Sequence, residues 1–154
     1  MTEESAIKAQ LNAQLIGHEA CLNALQERST KGTLAHALLL TGPKGIGKAS
    51  TALQLIAYLL DSKSTASTAL DTTITAQMSA NSHPDFCYIH ADRSHEGKHD
   101  EINIEAIRHA NHFIHHTPAS SPWRVVLIDG ADQMNRNASN ALLKTLEEPP
   151  AETL

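Results

Sequence analysis

The chain has 154 residues, a formal net charge of −5 and a hydrophobic fraction of 41%, which suits one domain with an apolar core. The negative charge argues against a broad nucleic-acid-binding surface. No apolar run reaches the roughly 18 residues of a membrane span, and the polar start MTEESAIKAQ is not a signal peptide. We therefore expect a cytoplasmic protein with no membrane contact.

The first half of the chain alternates predicted helix and strand. Apolar residues at helical spacing predict a helix over 18–29, and the apolar run 35–40 predicts a buried strand. A second apolar stripe predicts a helix over 47–60. The segment 61–83 is rich in Ser and Thr, so we predict an insertion or loop there, with a short helix near 74–78.

The second half continues the same alternation. The predicted elements are a strand over 86–89, a solvated loop over 90–101, a helix over 104–114, a strand over 124–128 and a helix over 138–146. Asn103 is placed to cap the fourth helix of the chain, and Cys21 and Cys87 fall on apolar faces that predict core positions.

This order of elements predicts an α/β fold with a mostly parallel sheet and helices on its faces. We assign residues 1–154 to one domain. The chain ends directly after a helix, whereas sheets of this kind usually have further strands, so we expect a fragment of a longer protein.

Residues 42–49 read GPKGIGKA, a phosphate-binding loop with one position changed. The pattern requires Gly, four residues, Gly, Lys and then Ser or Thr. Ala49 stands at the last position, and its methyl group cannot bind Mg²⁺. The alternative is a degenerate loop that keeps its shape for packing. The candidate nucleotide-binding residues are Gly42, Pro43, Lys44, Gly45, Ile46, Gly47, Lys48, Ala49, Ser50 and Asp129.

Asp129 follows an apolar strand, where a carboxylate either faces a metal ion or caps the next turn. Gly130 comes next, where an ATPase of this type would place a catalytic Glu. Losing a positioned general base typically costs about 10²- to 10⁴-fold in rate. We therefore predict no catalytic residue, at most weak ATP binding and an incomplete Mg²⁺ site.

Three further features each have two interpretations. Arg136 and Asn137 begin the last helix and could face DNA phosphates, although a solvated, capped helix is favoured. His112 and His116 share a helical face, as two zinc ligands would, but a solvated face is favoured because no third ligand is evident. Trp123 is expected to pack at the sheet edge rather than to stack on a base.

Several strings resemble bacterial DNA polymerase III clamp-loader subunits of the AAA+ superfamily. The most specific are GPKGIGK and ADQMNRNASNALLKTLEEPP. Further agreement lies in IGHEA, HALLLTGP, SHPD and TPASSPWRVVLID. The resemblance covers most of the chain except the Ser/Thr-rich segment 61–83, and it implies a P-loop domain of the AAA+ type.

Within that family, Ala49, Gly130 and the lack of cysteine in 61–83 favour the non-hydrolysing delta-prime type. The resemblance then implies a structural partner in a ring that loads the sliding clamp onto primer-template DNA, together with gamma or tau and delta subunits. It implies no zinc site. The alternatives are an active, ATP-dependent subunit of the gamma or tau type and a nucleotide-binding switch unrelated to replication.

Overall fold

The computed structural model describes residues 3–11, 16–61, 71–91 and 101–154. Four helices precede the first strand; helices and strands then alternate, with a short 3₁₀ turn after the second strand. The elements are α1 (Glu3–Leu11), α2 (Glu19–Thr30), α3 (Lys48–Leu60), α4 (Thr72–Ser79), β1 (Phe86–His90), α5 (Ile104–Ile114), β2 (Val125–Asp129) and α6 (Arg136–Glu147).

The two strands pair in parallel, in a register that runs from Phe86 opposite Val125 to His90 opposite Asp129. At the other edge of β2, Arg124 forms a parallel bridge with Thr153. Two hydrogen bonds support that bridge, from Arg124 N to Glu152 O and from Val126 N to Leu154 O, each at 2.9 Å. Because these pairings are parallel and helices lie on the sheet, the predicted α/β class is confirmed.

One face of the sheet carries the larger core cluster. Successive side chains of a strand point to opposite faces, and Phe86 and Val125 share a cluster with Leu53 of α3. Ile7 of α1 and Met78 of α4 belong to the same cluster, and both are fully buried. Burying each such side chain stabilises the fold by about 1.5–3 kcal/mol. This packing fixes α3, and therefore the loop that precedes it, against the sheet.

The opposite face packs against α5 and α6. Cys87 and Ile89 of β1 belong to a second cluster with Ile107 of α5 and Ala138 of α6. The sheet is thus the middle of three layers, as the alternation of elements predicted. Cys87 is buried there, so its predicted core position is confirmed.

Side-chain caps define where three of the helices begin. Asp71 accepts from Thr73 N at 2.7 Å, Asn103 from Ala106 N at 2.9 Å and Asn135 from Ala138 N at 2.9 Å. Each bond satisfies an amide that has no partner inside the helix. The helices predicted over 74–78, 104–114 and 138–146 correspond to α4, α5 and α6, so all three predictions are confirmed.

Two predictions from the first half of the chain are wrong. Residues 35–40 lie in irregular structure rather than in a strand, and Leu39 is 77% exposed. An apolar run becomes a strand only where another strand completes its backbone hydrogen bonds, and the ladder of the described sheet joins β1 to β2. Cys21 is exposed, because none of the residues of α2 is buried.

Among the other predictions, two helices are confirmed, one helix was missed, and two loop segments lie outside the described residues. The helix α1 was not predicted, since its sequence EESAIKAQL has little apolar periodicity. The helices predicted over 18–29 and 47–60 match α2 and α3 to within one residue at each end. Residues 62–70 of the predicted insertion and 92–100 of the predicted solvated loop lie outside the described residues.

A buried ion pair holds the loop that leads into β2. Asp85 is fully buried and accepts from the backbone N–H of Ala119 and Ser120 at 2.7 Å and of Ser121 at 3.0 Å. The guanidinium of Arg124 lies 3.3 Å from the same carboxylate. Arg124 also donates to the carbonyl oxygens of Phe113, at 2.8 Å, and of Thr117. The charge pair therefore connects the start of β1, the segment 113–121 and the start of β2.

We expect the free energy of unfolding to be highest between about pH 6.5 and pH 9 and to decrease at lower and at higher pH. Burial would raise the pKa of Asp85, but its amide and hydroxyl donors outweigh burial and lower that pKa. Burial lowers the pKa of His83, against the attraction of Asp85. Both groups therefore contribute stability above their unfolded pKa values that is lost as the pH falls. Burial raises the pKa of Cys87 to about 11, so its contribution is lost as the pH rises from 9 to 11.

Urea unfolding at several pH values, followed by far-UV circular dichroism, measures these contributions. A Cys87→Ala variant should lose the alkaline part of the pH dependence and keep the acid part. A free energy of unfolding that does not fall between pH 7 and pH 5 would contradict the assignment of His83, and one that does not fall further below pH 4 would contradict that of Asp85.

Candidate nucleotide-binding site

The predicted phosphate loop joins the irregular segment 34–41 to α3. Its three glycines have positive φ angles, 145° at Gly42, 85° at Gly45 and 98° at Gly47. Gly47 is the residue before the first turn of α3, and its left-handed conformation strains any residue with a Cβ atom. The loop therefore turns sharply into the N-terminus of a helix, which is the arrangement that the motif predicted.

Lys48, the first residue of α3, folds back onto this loop. Its ammonium donates to the carbonyl oxygens of Gly42 and Pro43, each at 2.8 Å. Within the loop, the N–H of Ile46 also donates to Pro43 O, at 3.4 Å. An ammonium has three donors, and two of them are engaged by the loop itself. A phosphate that entered here would have to compete with these internal bonds.

The residues after Lys48 offer no hydroxyl to a metal ion at the mouth of the loop. Ala49 has a methyl group, and Ser50 is buried, with 8% of its surface exposed. Thr51 uses its hydroxyl to donate to Gly47 O at 2.9 Å. The absence of a Mg²⁺-binding hydroxyl at position 49 is therefore not compensated by the next two residues.

His18 contacts the loop from the start of α2. Its Nε2 lies 2.7 Å from the carbonyl oxygen of Ile46, so the ring nitrogen donates to that oxygen. No sequence pattern indicates this contact, because 28 residues separate the two partners. His18 therefore helps to hold the exposed turn Lys44–Ile46 in place.

Asp129 ends β2, where the sequence predicted it, but its carboxylate accepts a hydrogen bond from Tyr88. The tyrosine hydroxyl lies 3.1 Å from Oδ2. The Tyr88 ring also stacks on His90, with centroids 5.4 Å apart, and His90 pairs with Asp129 across the sheet. This contact was missed at the level of sequence, because it depends on the register of two strands.

Gly130 adopts a left-handed conformation with φ 88° and starts the 3₁₀ turn Ala131–Gln133. A Cβ atom at this position would lie 2.6 Å from Oε1 of Gln133. A Glu at position 130 would therefore be strained in this backbone and would displace the Gln133 side chain. The lack of a catalytic carboxylate is supported by the local backbone as well as by the residue type.

The residues present do not fit a complete Mg²⁺–ATP site. Mg²⁺ prefers oxygen ligands in near-octahedral geometry, and position 49 supplies none. Asp129 supplies a carboxylate that already accepts from Tyr88. Lys48 and the backbone N–H groups of the loop are the kinds of donor that bind phosphate. In this structure the Lys48 ammonium donates to two carbonyl oxygens of the same loop.

Residues 17–154 match the family model described as DNA polymerase III, delta subunit. The chain belongs to this family. The matched range includes the glycine loop, both strands and α6.

Individual relatives of the family cover several subunit types. The delta-prime subunit of Pseudomonas aeruginosa is 36% identical over 121 residues, 78% of this chain and 36% of its own length. The gamma subunit of Buchnera aphidicola (subspecies Schizaphis graminum) is 34% identical, over 89% of this chain and 36% of its length. The tau subunit of Salmonella typhimurium is 33% identical, over 94% of this chain and 22% of its length. The chain thus spans about a third or less of these relatives.

The predicted DNA-facing residues begin α6 and are exposed. Arg136 and Asn137 both lie on the solvent side of the first turn. The helix start is capped by Asn135, whose amide nitrogen also donates to Glu101 Oε1 at 2.9 Å. One amide of this turn is therefore satisfied within the chain, as in the solvated-helix interpretation. Contact between this turn and DNA stays a prediction.

The two paired histidines, His112 and His116, and the tryptophan Trp123 lie outside the glycine loop. His112 lies in the last turn of α5, and His116 lies two residues beyond the end of that helix, with the two ring centroids 4.5 Å apart. Among the described residues, no group of three His, Cys, Asp or Glu side chains is arranged to hold a metal ion. Trp123 is partly buried against the larger core cluster at the start of β2. In the same ranges, no helix has the length and apolar character needed to cross a bilayer.

Proposed function

We propose that this chain is the nucleotide-pocket domain of a clamp-loader subunit of the delta-prime type. Its role is to act as a structural partner, with gamma or tau and delta subunits, in the ring that loads the sliding clamp onto primer-template DNA in the cytoplasm. It does not hydrolyse ATP. Its membership of the DNA polymerase III delta subunit family supports a place in that complex.

The observation that carries this proposal is the state of the nucleotide pocket. Ala49 and Gly130 remove a metal ligand and a general base, while Lys48 bonds to carbonyls of its own loop. A pocket whose polar groups are satisfied internally gains little from Mg²⁺–ATP and is stiff without it. A rigid domain of this kind gives neighbouring motor subunits a fixed surface against which to move.

The main rival is an active ATPase subunit of the gamma or tau type. Overall identity does not separate the two, since delta-prime and gamma relatives are 36% and 34% identical to this chain. The residues at positions 49 and 130 favour the delta-prime type, because hydrolysis needs both the metal ligand and the base. A nucleotide-dependent switch outside replication is the second rival.

Assembly with other subunits tests the structural role. The full-length protein that contains this chain, co-expressed with the gamma or tau and delta subunits of the same organism, is expected to co-elute with them in gel filtration without added ATP. A control preparation lacks the delta subunit. Failure to join the complex under conditions in which the other subunits assemble would favour the unrelated switch.

Nucleotide binding is expected to be weak and to depend on Lys48. Replacing Lys48 with Ala should reduce ATP affinity about tenfold or more, because a charge-assisted hydrogen bond contributes roughly 1.5–3 kcal/mol. Lys144→Ala is the matched control, since Lys144 is an exposed lysine of α6, outside the loop. Calorimetric titration with and without Mg²⁺ measures both. If the two variants bound ATP equally well, the phosphate-cradle role of the loop would be abandoned.

A further inference from the structure

The helix α2 lies on the surface and contacts the glycine loop at its start. None of its residues is buried, and Ile16, which lies just before it, is 80% exposed. His18, the residue before its first turn, donates to Ile46 O at 2.7 Å. At the other end of α2, Thr30 Oγ1 lies 3.3 Å from the Tyr58 hydroxyl. Segments with few buried contacts open at a low cost in free energy, so these polar contacts contribute a large share of what holds α2 in place.

The turn that His18 contacts is closed by hydrogen bonds within the loop. The N–H of Ile46 donates to Pro43 O at 3.4 Å. The Lys48 ammonium donates to the same carbonyl and to Gly42 O, each at 2.8 Å. Because Ile46 is 46% exposed, hydrogen bonds rather than burial hold this turn in its closed form.

A phosphate group can enter this loop only if the turn opens. Phosphate loops present N–H groups and an ammonium to the anion, whereas carbonyl oxygens repel it. Lys48 must therefore leave the two carbonyls, and the N–H of Ile46 must leave Pro43 O. The N–H and the carbonyl of Ile46 share one Cα atom, so redirecting the N–H also shifts the carbonyl that His18 holds.

We propose that phosphate in the glycine loop and the docked position of α2 oppose each other, and that His18 is the positioning residue that couples them. The coupling rests on the weak phosphate binding proposed above for this loop. The contact of His18 with Ile46 stabilises the closed turn, whereas phosphate stabilises the open turn and releases the start of α2. Such coupling is reciprocal, so a partner protein that holds α2 in its docked position would weaken phosphate binding.

The sign of the effect on affinity separates this coupling from a passive role of His18. If His18 only helped to order the loop, its removal would raise the cost of ordering the loop on binding, and phosphate would bind more weakly. If His18 stabilises the closed turn, its removal shifts the population toward the open turn, and phosphate binds more tightly.

Calorimetric titration with inorganic pyrophosphate, at constant ionic strength and without Mg²⁺, measures this sign. His18→Ala is expected to bind pyrophosphate about two- to tenfold more tightly than the unmodified chain, the range for loss of one neutral hydrogen bond. His18→Gln keeps a side-chain donor and should restore the weaker binding. The matched control is His116→Ala, because His116 Nδ1 contacts a backbone carbonyl at the same 2.7 Å, that of His112, outside the loop. This control should leave the affinity unchanged.

Hydrogen–deuterium exchange followed by mass spectrometry measures the response of α2 itself. Saturating pyrophosphate is expected to slow amide exchange in a peptide that covers residues 42–48 and to speed it in a peptide that covers residues 19–25. In His18→Ala the peptide 19–25 should exchange rapidly with and without pyrophosphate. Far-UV circular dichroism checks that each variant is folded.

Two outcomes would overturn the coupling. One is a pyrophosphate affinity of His18→Ala that is equal to or lower than that of the unmodified chain. The other is amide exchange in α2 that saturating pyrophosphate does not change. If no variant bound pyrophosphate, His18→Ala included, the coupling and the phosphate-cradle role of the loop would both be abandoned. The proposed role in assembly would stand, because gel filtration with the other subunits tests it separately.

Discussion

Magnesium-dependent ATP hydrolysis by this chain is expected to be at least about 10²- to 10⁴-fold slower than hydrolysis by an active gamma or tau subunit, the range for loss of a positioned general base. The missing base is at Gly130, and the missing metal ligand at Ala49 lowers the rate further, because Mg²⁺ no longer orients the phosphates. The engagement of Lys48 by Gly42 O and Pro43 O removes a third contribution.

Release of radioactive phosphate from labelled ATP, at saturating nucleotide and Mg²⁺, measures this difference. A tau subunit assayed in parallel sets the active rate, and the Lys48→Ala variant sets the background from contaminating ATPases. Brisk hydrolysis that requires Mg²⁺ and disappears in Lys48→Ala would establish the rival assignment to an active motor subunit.

Under the proposed delta-prime function, we expect that changing positions 49 and 130 alone would not produce an active ATPase site. Gly130 has a φ of 88°, so a Glu there is strained and meets Gln133. The carboxylate of Asp129 accepts a hydrogen bond from the Tyr88 hydroxyl. A left-handed backbone at position 130 and internal partners for Lys48 and Asp129 suit a domain whose pocket serves a structural role.

The sequence predicted those elements whose signals are local. α3, α5 and α6 combine an apolar stripe with a clear start or stop, such as Asn103 before α5 and Pro149 after α6. Both ends of β2 were placed to within one residue, because a β-branched run followed by Asp and Gly is a strong local pattern. Local information was sufficient there because periodicity and capping involve neighbours in the chain.

The segment 35–40 shows where local information fails. Its apolar run reads as a buried strand, yet strand formation depends on a hydrogen-bonding partner that the run itself cannot specify. In the described residues, β2 pairs with β1 on one edge and bridges to Thr153 on the other. The residues 35–40 are therefore irregular, and Leu39 remains exposed.

The candidate site was predicted in its residues but not in its contacts. The motif located Gly42 to Lys48 and Asp129, whereas the hydrogen bond from Tyr88 to Asp129 spans 41 residues and requires the sheet register. The ion pair between Asp85 and Arg124 spans 39 residues and was missed for the same reason. Charged partners far apart in sequence become recognisable only when the fold brings them together.

Replacing Asp85 with Asn is expected to lower the free energy of unfolding by about 3–5 kcal/mol, because removing one partner of a buried ion pair leaves the other charge uncompensated. Arg124 would remain buried beneath β2 without its counter-charge. The new amide group would also turn a donor toward the N–H groups of Ser120 and Ser121. Since small domains are stable by about 5–15 kcal/mol in total, this loss approaches the limit for folding.

Urea unfolding at pH 7.5, followed by far-UV circular dichroism, measures the change. The matched control is Glu27→Gln, which breaks the exposed pair between Lys31 and Glu27, whose side chains are each 65% exposed. An exposed pair contributes about 0–1 kcal/mol, so the control should change little. Loss of any cooperative transition in Asp85→Asn would agree with the expected effect. Equal midpoints for the two variants would mean that the loop before β2 is held by packing around Trp123 and Pro122 rather than by the buried charge.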